Sequence, residues 1–305
     1  MGIKGLRQAV AAHMREGHVK EIAGKTVVCD GHAWLHKAAF GCAFDIAMGK
    51  PTDKYIEYCM HLVNMLKFYG VTPIIVLDGR SLPGKARVNS ERNARRESQR
   101  ALGMELLRRG DRSGALKCLQ QSIHVTAEMA HAFHARLQSE KVTCIVSPYE
   151  ADAQMSYMVR KGMAQAVISE DSDMVPFGVD MILYKMDTSG SCCIFENKPL
   201  GEGNKKSMDV SKLSGDARIH MCILAGCDYL QSIPGIGIQK AYGLIREHGD
   251  GKKAIEALRK HPKMKEKVPD GYEDAFERAE KLFKHQWVYD MEERKLVNMT
   301  QVPED

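Results

Sequence analysis

Short apolar runs alternate with amphipathic helical stretches through most of this chain. The runs predict buried strands at residues 25–30, 71–77, 141–147, 164–169, 181–186 and 191–196. Apolar positions at helical spacing predict helices at residues 33–47, 52–69 and 151–161 between them. This β–α–β–α–β order favours an α/β fold with a mostly parallel central sheet flanked by helices.

A long helical insertion, residues 83–140, separates the second predicted strand from the third. A Gly-containing break at residues 108–114 divides it into a basic arm, 85–109, and a second arm, 115–138, with an apolar face. A solvated surface helix is the simpler explanation of the basic arm. Connections inside compact domains are usually much shorter, so we expect this insertion to arch over a nucleic-acid strand.

We expect one domain, 1–305, with an N-terminal region (1–82), the insertion (83–140), an internal region (141–229), a helical region (230–285) and a tail (286–305). Residues 232–248 predict two helices joined by a Pro-Gly-Ile-Gly turn. Its glycines would let backbone N–H groups approach a phosphate, as in a helix–hairpin–helix segment. Such turns also join helices that bind nothing. The tail is expected along the core, with Trp287 as its anchor.

Charge is distributed unevenly along the chain, which carries a formal net charge of only +5 over 305 residues. Residues 80–100 hold seven basic side chains and two acids. The nine cysteines form no CxxC pair, which favours a reducing compartment. No apolar run approaches the roughly 20 residues that span a bilayer. A basic arm together with clustered acids predicts a polyanion handled with metal ions.

Seven acids follow predicted strands or flank predicted helices. Any one of them could simply cap a turn or favour a helix dipole. Together they would repel one another at the carboxyl edge of the sheet, where ligands of α/β folds bind. We therefore expect cations beside them. These acids are Asp30, Asp78, Glu150, Asp152, Asp171, Asp173 and Asp228.

Carboxylates without histidine or cysteine select Mg²⁺ or Mn²⁺ rather than zinc. Seven acids exceed the needs of one ion and predict two, about 4 Å apart, as in enzymes that hydrolyse phosphodiesters. Lys85 and Arg92 of the basic arm would then act on the phosphate. Calcium storage is the alternative, but EF-hand spacing is absent from the sequence.

The motifs MGIKGL, VVCDGHAWLHK, VLDGR, PYEADAQ, SEDSDMVPFG, LAGCDYL and PGIG occur in this order. They resemble the flap-endonuclease superfamily of structure-specific 5′ nucleases over essentially the whole chain. WLHK, KPTDKY, PYEADAQ and KMD are most similar to its exonuclease branch, which acts in mismatch repair and end resection. The resemblance implies a PIN-like (resolvase-like) domain that degrades duplex DNA from a 5′ end, nick or gap and cleaves 5′ flaps.

The resemblance also implies roles for particular residues. Asp30, Asp78, Glu150 and Asp152 would serve one metal ion, and Asp171, Asp173 and Asp228 the other. Lys85, Arg92 and Asp173 would be catalytic. DNA contacts are expected from Gly2, His32, His36, Arg95, Arg96, Gly235, Gly237 and Lys240, with His32 at a position usually held by tyrosine. Ser232 and Ile236 would hold a monovalent cation, K⁺.

The expected molecule is a nuclear monomer that binds DNA ends, with mismatch-repair proteins bound through a tail beyond residue 305. Its close rival is a flap endonuclease or junction resolvase of the same superfamily. A catalytically inactive nucleic-acid-binding relative is the alternative from another class. Seven mutually repelling carboxylates disfavour that alternative, because a pure binder would gain nothing from them.

Overall fold

A seven-stranded sheet is the centre of the computed structural model, which describes residues 2–201 and 207–302. The strand order is β1-β7-β6-β5-β2-β3-β4, and β2 to β6 run parallel. Strand β7 runs antiparallel to β6, and the edge strand β1 pairs with β7 in antiparallel orientation. The strands are β1 Met14–His18, β2 Thr26–Asp30, β3 Thr72–Leu77, β4 Cys144–Val146, β5 Ala166–Ile168, β6 Met181–Tyr184 and β7 Ser191–Glu196.

Helices cover both faces of this sheet. The expected α/β fold is confirmed, and among the described residues no helix is long and apolar enough to cross a membrane. The helices are α1 Leu6–Ala9, α2 Gly31–Gly41, α3 Ala43–Ala47, α4 Lys54–Phe68, α5 Ala86–Arg108, α6 Arg112–Gln121, α7 Ala127–Ser139, α8 Ala151–Arg160, α9 Gly215–Ala225, α10 Ile238–His248, α11 Gly251–Lys260 and α12 Tyr272–Lys284.

Each face of the sheet has its own apolar core. Because side chains alternate along a strand, Val28 points into the core under α8 to α12, whereas Val27 and Cys29 point into the core under α2, α4 and α7. Burial on both sides explains why the parallel strands are almost uninterrupted apolar runs. All six predicted strands are present. The sequence analysis missed β1, whose residues MREGH form a largely polar edge strand.

The long insertion contains three helices instead of the two arms that were predicted. The second predicted arm breaks after α6, and Thr126 begins α7 by accepting a hydrogen bond from the Met129 N–H at 3.3 Å. Helices α5 and α6 form a hairpin in which a Cβ on Gly103 would lie 3.0 Å from Leu119. Helix α7 instead packs on the sheet, with Phe133 and Leu137 fully buried.

The C-terminal segment forms a β-hairpin, with strands β8 Trp287–Asp290 and β9 Lys295–Asn298. Trp287 was predicted as its anchor, and that prediction is wrong because Trp287 is 47% exposed. The alternation of β8 turns Val288 and Asp290 inward instead. The loop predicted over residues 197–207 lies partly outside the described residues.

Replacing Phe133 with alanine should lower the free energy of unfolding by about 3–5 kcal/mol, since it leaves a cavity between α7 and the sheet. Phe68 is the matched control because its side chain is 82% exposed. Phe68→Ala should change the stability by less than about 0.5 kcal/mol. Urea unfolding of both variants measures the difference. Equal losses would contradict the placement of α7 in the core.

Candidate active site

Four of the acids stand where parallel strands end. Asp30 is the last residue of β2, Asp78 follows β3, and Asp171 and Asp173 follow β5. Glu150 and Asp152 begin α8, and Asp228 follows the end of α9. Because the carboxyl ends of parallel strands share one edge of a sheet, chain segments far apart in sequence deliver their acids to one region.

Backbone and hydroxyl donors fix the two acids at the ends of β2 and β3. Asp30 caps α2 by accepting a hydrogen bond from the Ala33 N–H at 2.9 Å, and its other oxygen accepts one from the Ser169 hydroxyl at 3.2 Å. Asp78 accepts a hydrogen bond from the Ala151 N–H at 2.8 Å, at the start of α8. The residue after it must be glycine, because a Cβ on Gly79 would collide with backbone carbonyl oxygens.

The beginning of the chain lies against the Asp171–Asp173 turn. Asp171 accepts a hydrogen bond from the Asp173 N–H at 3.0 Å, and Asp173 accepts one from the Ile3 N–H at 3.0 Å. A Cβ on Gly2, whose φ is +91°, would come within 2.7 Å of an Asp173 oxygen. Gly2 therefore lies beside these acids, where the sequence analysis expected a residue close to DNA.

Burial places several of these carboxylates under electrostatic stress. Burial and the nearby charge of Asp78 raise the pKa of Asp30 to about 7. Burial and the charge of Asp171 raise the pKa of Asp152 and of Asp173 well above the ordinary range. Desolvation and like charges both disfavour the ionised form of a carboxyl group. Full ionisation of this group therefore requires positive charge beside it.

Lys85 and Arg92 supply part of that charge. The Lys85 ammonium lies 2.6 Å from Glu150 Oε1 and 3.2 Å from Asp228 Oδ2. The Arg92 Nη2 lies 2.8 and 2.9 Å from the two oxygens of Asp228. Burial opposes the charge on Lys85, but Glu150, Asp152 and Asp228 outweigh it and raise the pKa of Lys85. Lys85 is only 9% exposed, at the end of the 3₁₀ turn before α5.

The donor set fits a hard divalent cation, because it consists of carboxylate oxygens without cysteine or histidine. In the parts of the chain that the structure describes, no three acid, histidine or cysteine side chains are arranged closely enough to hold an ion. Glu150 and Asp228 are turned toward Lys85 and Arg92 instead. A cation could be held by the acids left without a basic partner, with Glu150 joining them once Lys85 moves away.

The predicted DNA contacts on α2 and α5 form a second group. His32 Nδ1 accepts a hydrogen bond from the Asp78 N–H at 3.0 Å, which ties this ring to the acids. His36 packs beside Phe40, and burial and the charge of Arg96 lower its pKa. Arg96 approaches His124 at 3.3 Å and pairs with no carboxylate among the described residues. Arg95 is exposed on α5.

The remaining predicted contacts lie in the turn between α9 and α10. Gly235 has a φ of +89°, and its carbonyl oxygen accepts a hydrogen bond from the Lys240 ammonium at 2.8 Å. Gly237 precedes α10. The side chain of Ile236 is buried, so only its backbone could contact an ion. Ser232 packs against Gly226, because a Cβ added to Gly226 would lie 2.9 Å from the backbone nitrogen of Ser232.

Several contacts of the site were not predicted. Tyr229 donates a hydrogen bond to Glu150 Oε2 at 2.8 Å, and Gln286 donates one to the Tyr229 hydroxyl at 3.0 Å. His124 approaches Arg96, and Ser169 bonds Asp30. Tyr229 carried a signal because it directly follows Asp228, but an aromatic residue there is also typical of a core. Gln286 carried none, since the β-hairpin that fixes it was not predicted.

Two family domains match this chain in succession. The XPG N-terminal domain matches residues 1–99, and the XPG I-region matches residues 141–228. The chain belongs to the XPG family. Between them, the two XPG segments contain all seven acids, whereas most of the α5–α6 hairpin and everything after Asp228 lie outside both. The resemblance to structure-specific 5′ nucleases noted from the motifs is confirmed.

Among its XPG relatives, exonuclease 1 of Xenopus laevis is 42% identical over 97% of this chain. Exonuclease 1 of Danio rerio is 40% identical over 100% of this chain. Exodeoxyribonuclease 1 of Schizosaccharomyces pombe is 37% identical over 98%. The chain spans only 40%, 38% and 52% of the lengths of these three relatives.

Solved structures share the fold at lower sequence identity. The catalytic core of Rad2 in complex with DNA substrate matches 92% of this chain with a TM-score of 0.59 and 18% identity, covering 79% of its own length. Flap endonuclease-1 from Methanococcus jannaschii matches 88% with a TM-score of 0.58 and 20% identity, covering 81% of its own length.

Replacing Lys85 with methionine should lower the free energy of unfolding by about 3–5 kcal/mol in EDTA, because it leaves buried carboxylates without their partner. The matched control is Lys54→Met. Lys54 pairs with Asp45 at 3.0 Å, but its side chain is exposed, so only a small loss is expected. Urea unfolding measures both variants. A loss as small as that of the control would show that Lys85 does not stabilise the acids.

Proposed function

We propose that this chain is the nuclease region of a Mg²⁺-dependent 5′→3′ exonuclease of double-stranded DNA that also cleaves 5′ flaps. The observation that carries the proposal is the group of carboxylates into which Lys85 and Arg92 reach. In such a group the carboxylates bind cations, and the two basic side chains can donate hydrogen bonds to a phosphate. This combination suits hydrolysis of a phosphodiester better than simple binding of a polyanion.

Two Mg²⁺ ions, or Mn²⁺ in their place, would activate water and polarise the scissile phosphate when bound. Asp30, Asp78, Glu150 and Asp152 would hold one ion. Asp171, Asp173 and Asp228 would hold the other. The elevated pKa of Asp30, Asp152 and Asp173 supports this assignment, because bound cations would relieve the repulsion that raises it.

Lys85 and Arg92 would exchange their carboxylate partners for the scissile phosphate. The Arg92 guanidinium contacts both oxygens of Asp228, and paired oxygens of this kind are also presented by a phosphate. Lys85 would remain charged during the exchange because it lies among acids. Both side chains would then stabilise negative charge that develops on the phosphate.

The DNA would run from the acids toward the α5–α6 hairpin. His32, His36, Arg95 and Arg96 would contact the strand that is cut, and Gly2 would lie close to it. On the uncut side, Gly235, Gly237 and Lys240 would approach a phosphate. Backbone carbonyls at Ser232 and Ile236 would hold K⁺ there.

We propose a single nuclease domain over 1–305, in which only α5 and α6 of the insertion 83–140 form the arch over DNA. The packing of α7 on the sheet supports this narrower arch. The core region 141–229, the helical region 230–285 and the hairpin in the tail 286–305 would complete the domain. A monomer suffices for this arrangement.

The relatives named exonuclease 1 support an exonuclease. We propose that it acts at 5′ ends, nicks, gaps and flaps in DNA repair, in the nucleus. Mismatch-repair proteins would be its protein partners. A flap endonuclease or junction resolvase is the second candidate, because the fold is shared with flap endonuclease-1 and with human GEN1 in complex with Holliday junction DNA (TM-score 0.58, 17% identity, 92% of this chain and 66% of that chain).

Substrate assays separate the two candidates. A nicked duplex and a flap substrate, labelled at the 5′ end, are each incubated with Mg²⁺ and with EDTA. Mono- and short oligonucleotides from the nick support the exonuclease, whereas release of a single flap supports the alternative. Cleavage that continues in EDTA would contradict a metal-dependent reaction.

Asp173→Asn should reduce cleavage by more than about 100-fold, the loss typical of removing one electrostatic group from a reaction centre. The amide oxygen can still accept the Ile3 N–H, so the local fold and DNA binding should persist. Single-turnover cleavage and fluorescence anisotropy measure these quantities separately. Asp180→Asn, at an exposed acid bonded to Asn197, serves as the control. Cleavage by Asp173→Asn near the wild-type rate would refute the assignment.

Arg96→Gln should weaken DNA binding and reduce the salt slope of the binding constant by about one phosphate contact. Its guanidinium pairs with no described carboxylate and is available to DNA. Arg136→Gln is the control, because Arg136 is already paired with Glu57 and Glu140. Titrations of DNA at several salt concentrations give both slopes. An unchanged slope for Arg96→Gln would remove Arg96 from the interface.

A further inference from the structure

The carboxylate of Glu150 is held by two donors of different charge. Lys85 donates to Oε1 at 2.6 Å, and the Tyr229 hydroxyl donates to Oε2 at 2.8 Å. Glu150 precedes α8 but makes no capping bond to its backbone. Lys85 would leave this carboxylate when it binds a phosphate. The neutral phenol has no such competing task and would keep one oxygen of Glu150 in place.

The hydrogen bond from Tyr229 has a fixed direction. Gln286 Nε2 lies 3.0 Å from the Tyr229 hydroxyl and 2.9 Å from the Leu282 carbonyl oxygen. A carbonyl oxygen only accepts hydrogen bonds, so the amide nitrogen of Gln286 must face both groups. The phenol oxygen therefore accepts a hydrogen bond from Gln286. Its own proton is then directed to Glu150.

Packing also fixes the ring of Tyr229. It meets the ring of Phe283 edge-on at a centroid distance of 4.9 Å, and the Lys85 ammonium lies 5.3 Å from its centroid. One ring thus contacts both the carboxylate of Glu150 and the cation paired with it. Neither contact would survive a change in the position of the ring.

The β-hairpin β8–β9 keeps Gln286 at this position. The Gln286 carbonyl accepts a hydrogen bond from the Met299 N–H at 2.8 Å, which closes the open end of the hairpin. The Gln154 side chain bonds both backbone groups of Tyr289, at 2.8 and 2.7 Å, and so joins the hairpin to α8. The hairpin therefore connects helix α8, which Glu150 precedes, to Gln286, which supports Tyr229.

The side chain of Gln286 contains one polar atom whose burial destabilises the fold. Its Oε1 is buried and has no hydrogen-bond partner among the described residues. An unpaired buried acceptor costs about 1–3 kcal/mol. Turning the amide over would place its oxygen against the phenol, whose proton would then be donated to Gln286 instead of Glu150. The cost therefore accompanies the orientation that directs this proton to Glu150. Such exceptions often accompany functional sites.

We infer that Tyr229 is a positioning residue for Glu150 and that Gln286, held by the β-hairpin, positions Tyr229. This inference rests on the proposed nuclease function, because it assigns Glu150 to a bound cation. Both residues lie beyond the two matched XPG segments, which end at residue 228. The C-terminal hairpin is then part of the catalytic apparatus although it contributes no ligand.

Tyr229→Phe tests the inference because it removes the hydroxyl and keeps the ring. Loss of a partner that orients a metal ligand typically costs about 10- to 100-fold in metal affinity or activity. We expect a loss of this size in the affinity for Mn²⁺, measured on the protein alone by paramagnetic resonance, and in the rate of single-turnover cleavage. The KM for DNA should stay within about twofold of wild type, since the phenol contacts no DNA in this scheme.

Tyr242→Phe is the matched control. The Tyr242 hydroxyl donates to the Asp209 carbonyl oxygen at 3.3 Å, on helix α10 and away from both the hairpin and the seven acids. Its loss should lower the thermal midpoint of unfolding without changing Mn²⁺ affinity or cleavage. A second variant, Gln286→Met, keeps the phenol but removes its support, and should reduce Mn²⁺ affinity in the same direction by a smaller factor.

The outcomes separate the inference from the proposed function. Equal Mn²⁺ affinity and cleavage in Tyr229→Phe and Tyr242→Phe would overturn the positioning role while leaving the nuclease intact. A wild-type protein that binds Mn²⁺ but cleaves no DNA would overturn the proposed function. The Mn²⁺ titration of Tyr229→Phe would still decide the role of the phenol. If Tyr229→Phe unfolds, Gln286→Met decides by the same titration.

Discussion

The mutual repulsion of carboxylates buried at one edge of the sheet is the constraint on which this site depends. Two basic side chains from outside the sheet, Lys85 and Arg92, offset part of that repulsion. Backbone N–H groups and the hydroxyls of Ser169 and Tyr229 offset more of it. The remaining imbalance would give the site an affinity for further positive charge. The repulsion between carboxylates that lowers the stability of the protein would therefore also favour the binding of cations.

Much of the fold and the acid group could be predicted from the sequence. Buried parallel strands are continuous apolar runs, and the residue that ends or follows each one lies at the common edge, which is how Asp30 and Asp78 were found. The sequence could not show which side chains reach the site through contacts between distant parts of the chain. Nothing in a basic arm shows that Lys85 turns inward whereas Arg95 stays exposed.

The errors have local physical causes. Strand β1 was missed because a polar edge strand lacks the apolar run that reveals a buried one. The break before α7 was missed because the apolar face continues across it, and only the capping hydroxyl of Thr126 marks the new helix. Trp287 was expected to anchor the tail, but the alternation of its strand determines which residues face inward. In each case packing decided between locally acceptable conformations.

Both extremes of the described chain meet the same acids. Ile3 donates its N–H to Asp173, and Gln286 reaches Glu150 through Tyr229. A fragment that ends before Gln286 would keep all seven carboxylates but would lack the residue that supports Tyr229 in the inferred arrangement. A complete set of acids would then not be sufficient for activity, because the orientation of Glu150 would depend on a segment that contributes no acid.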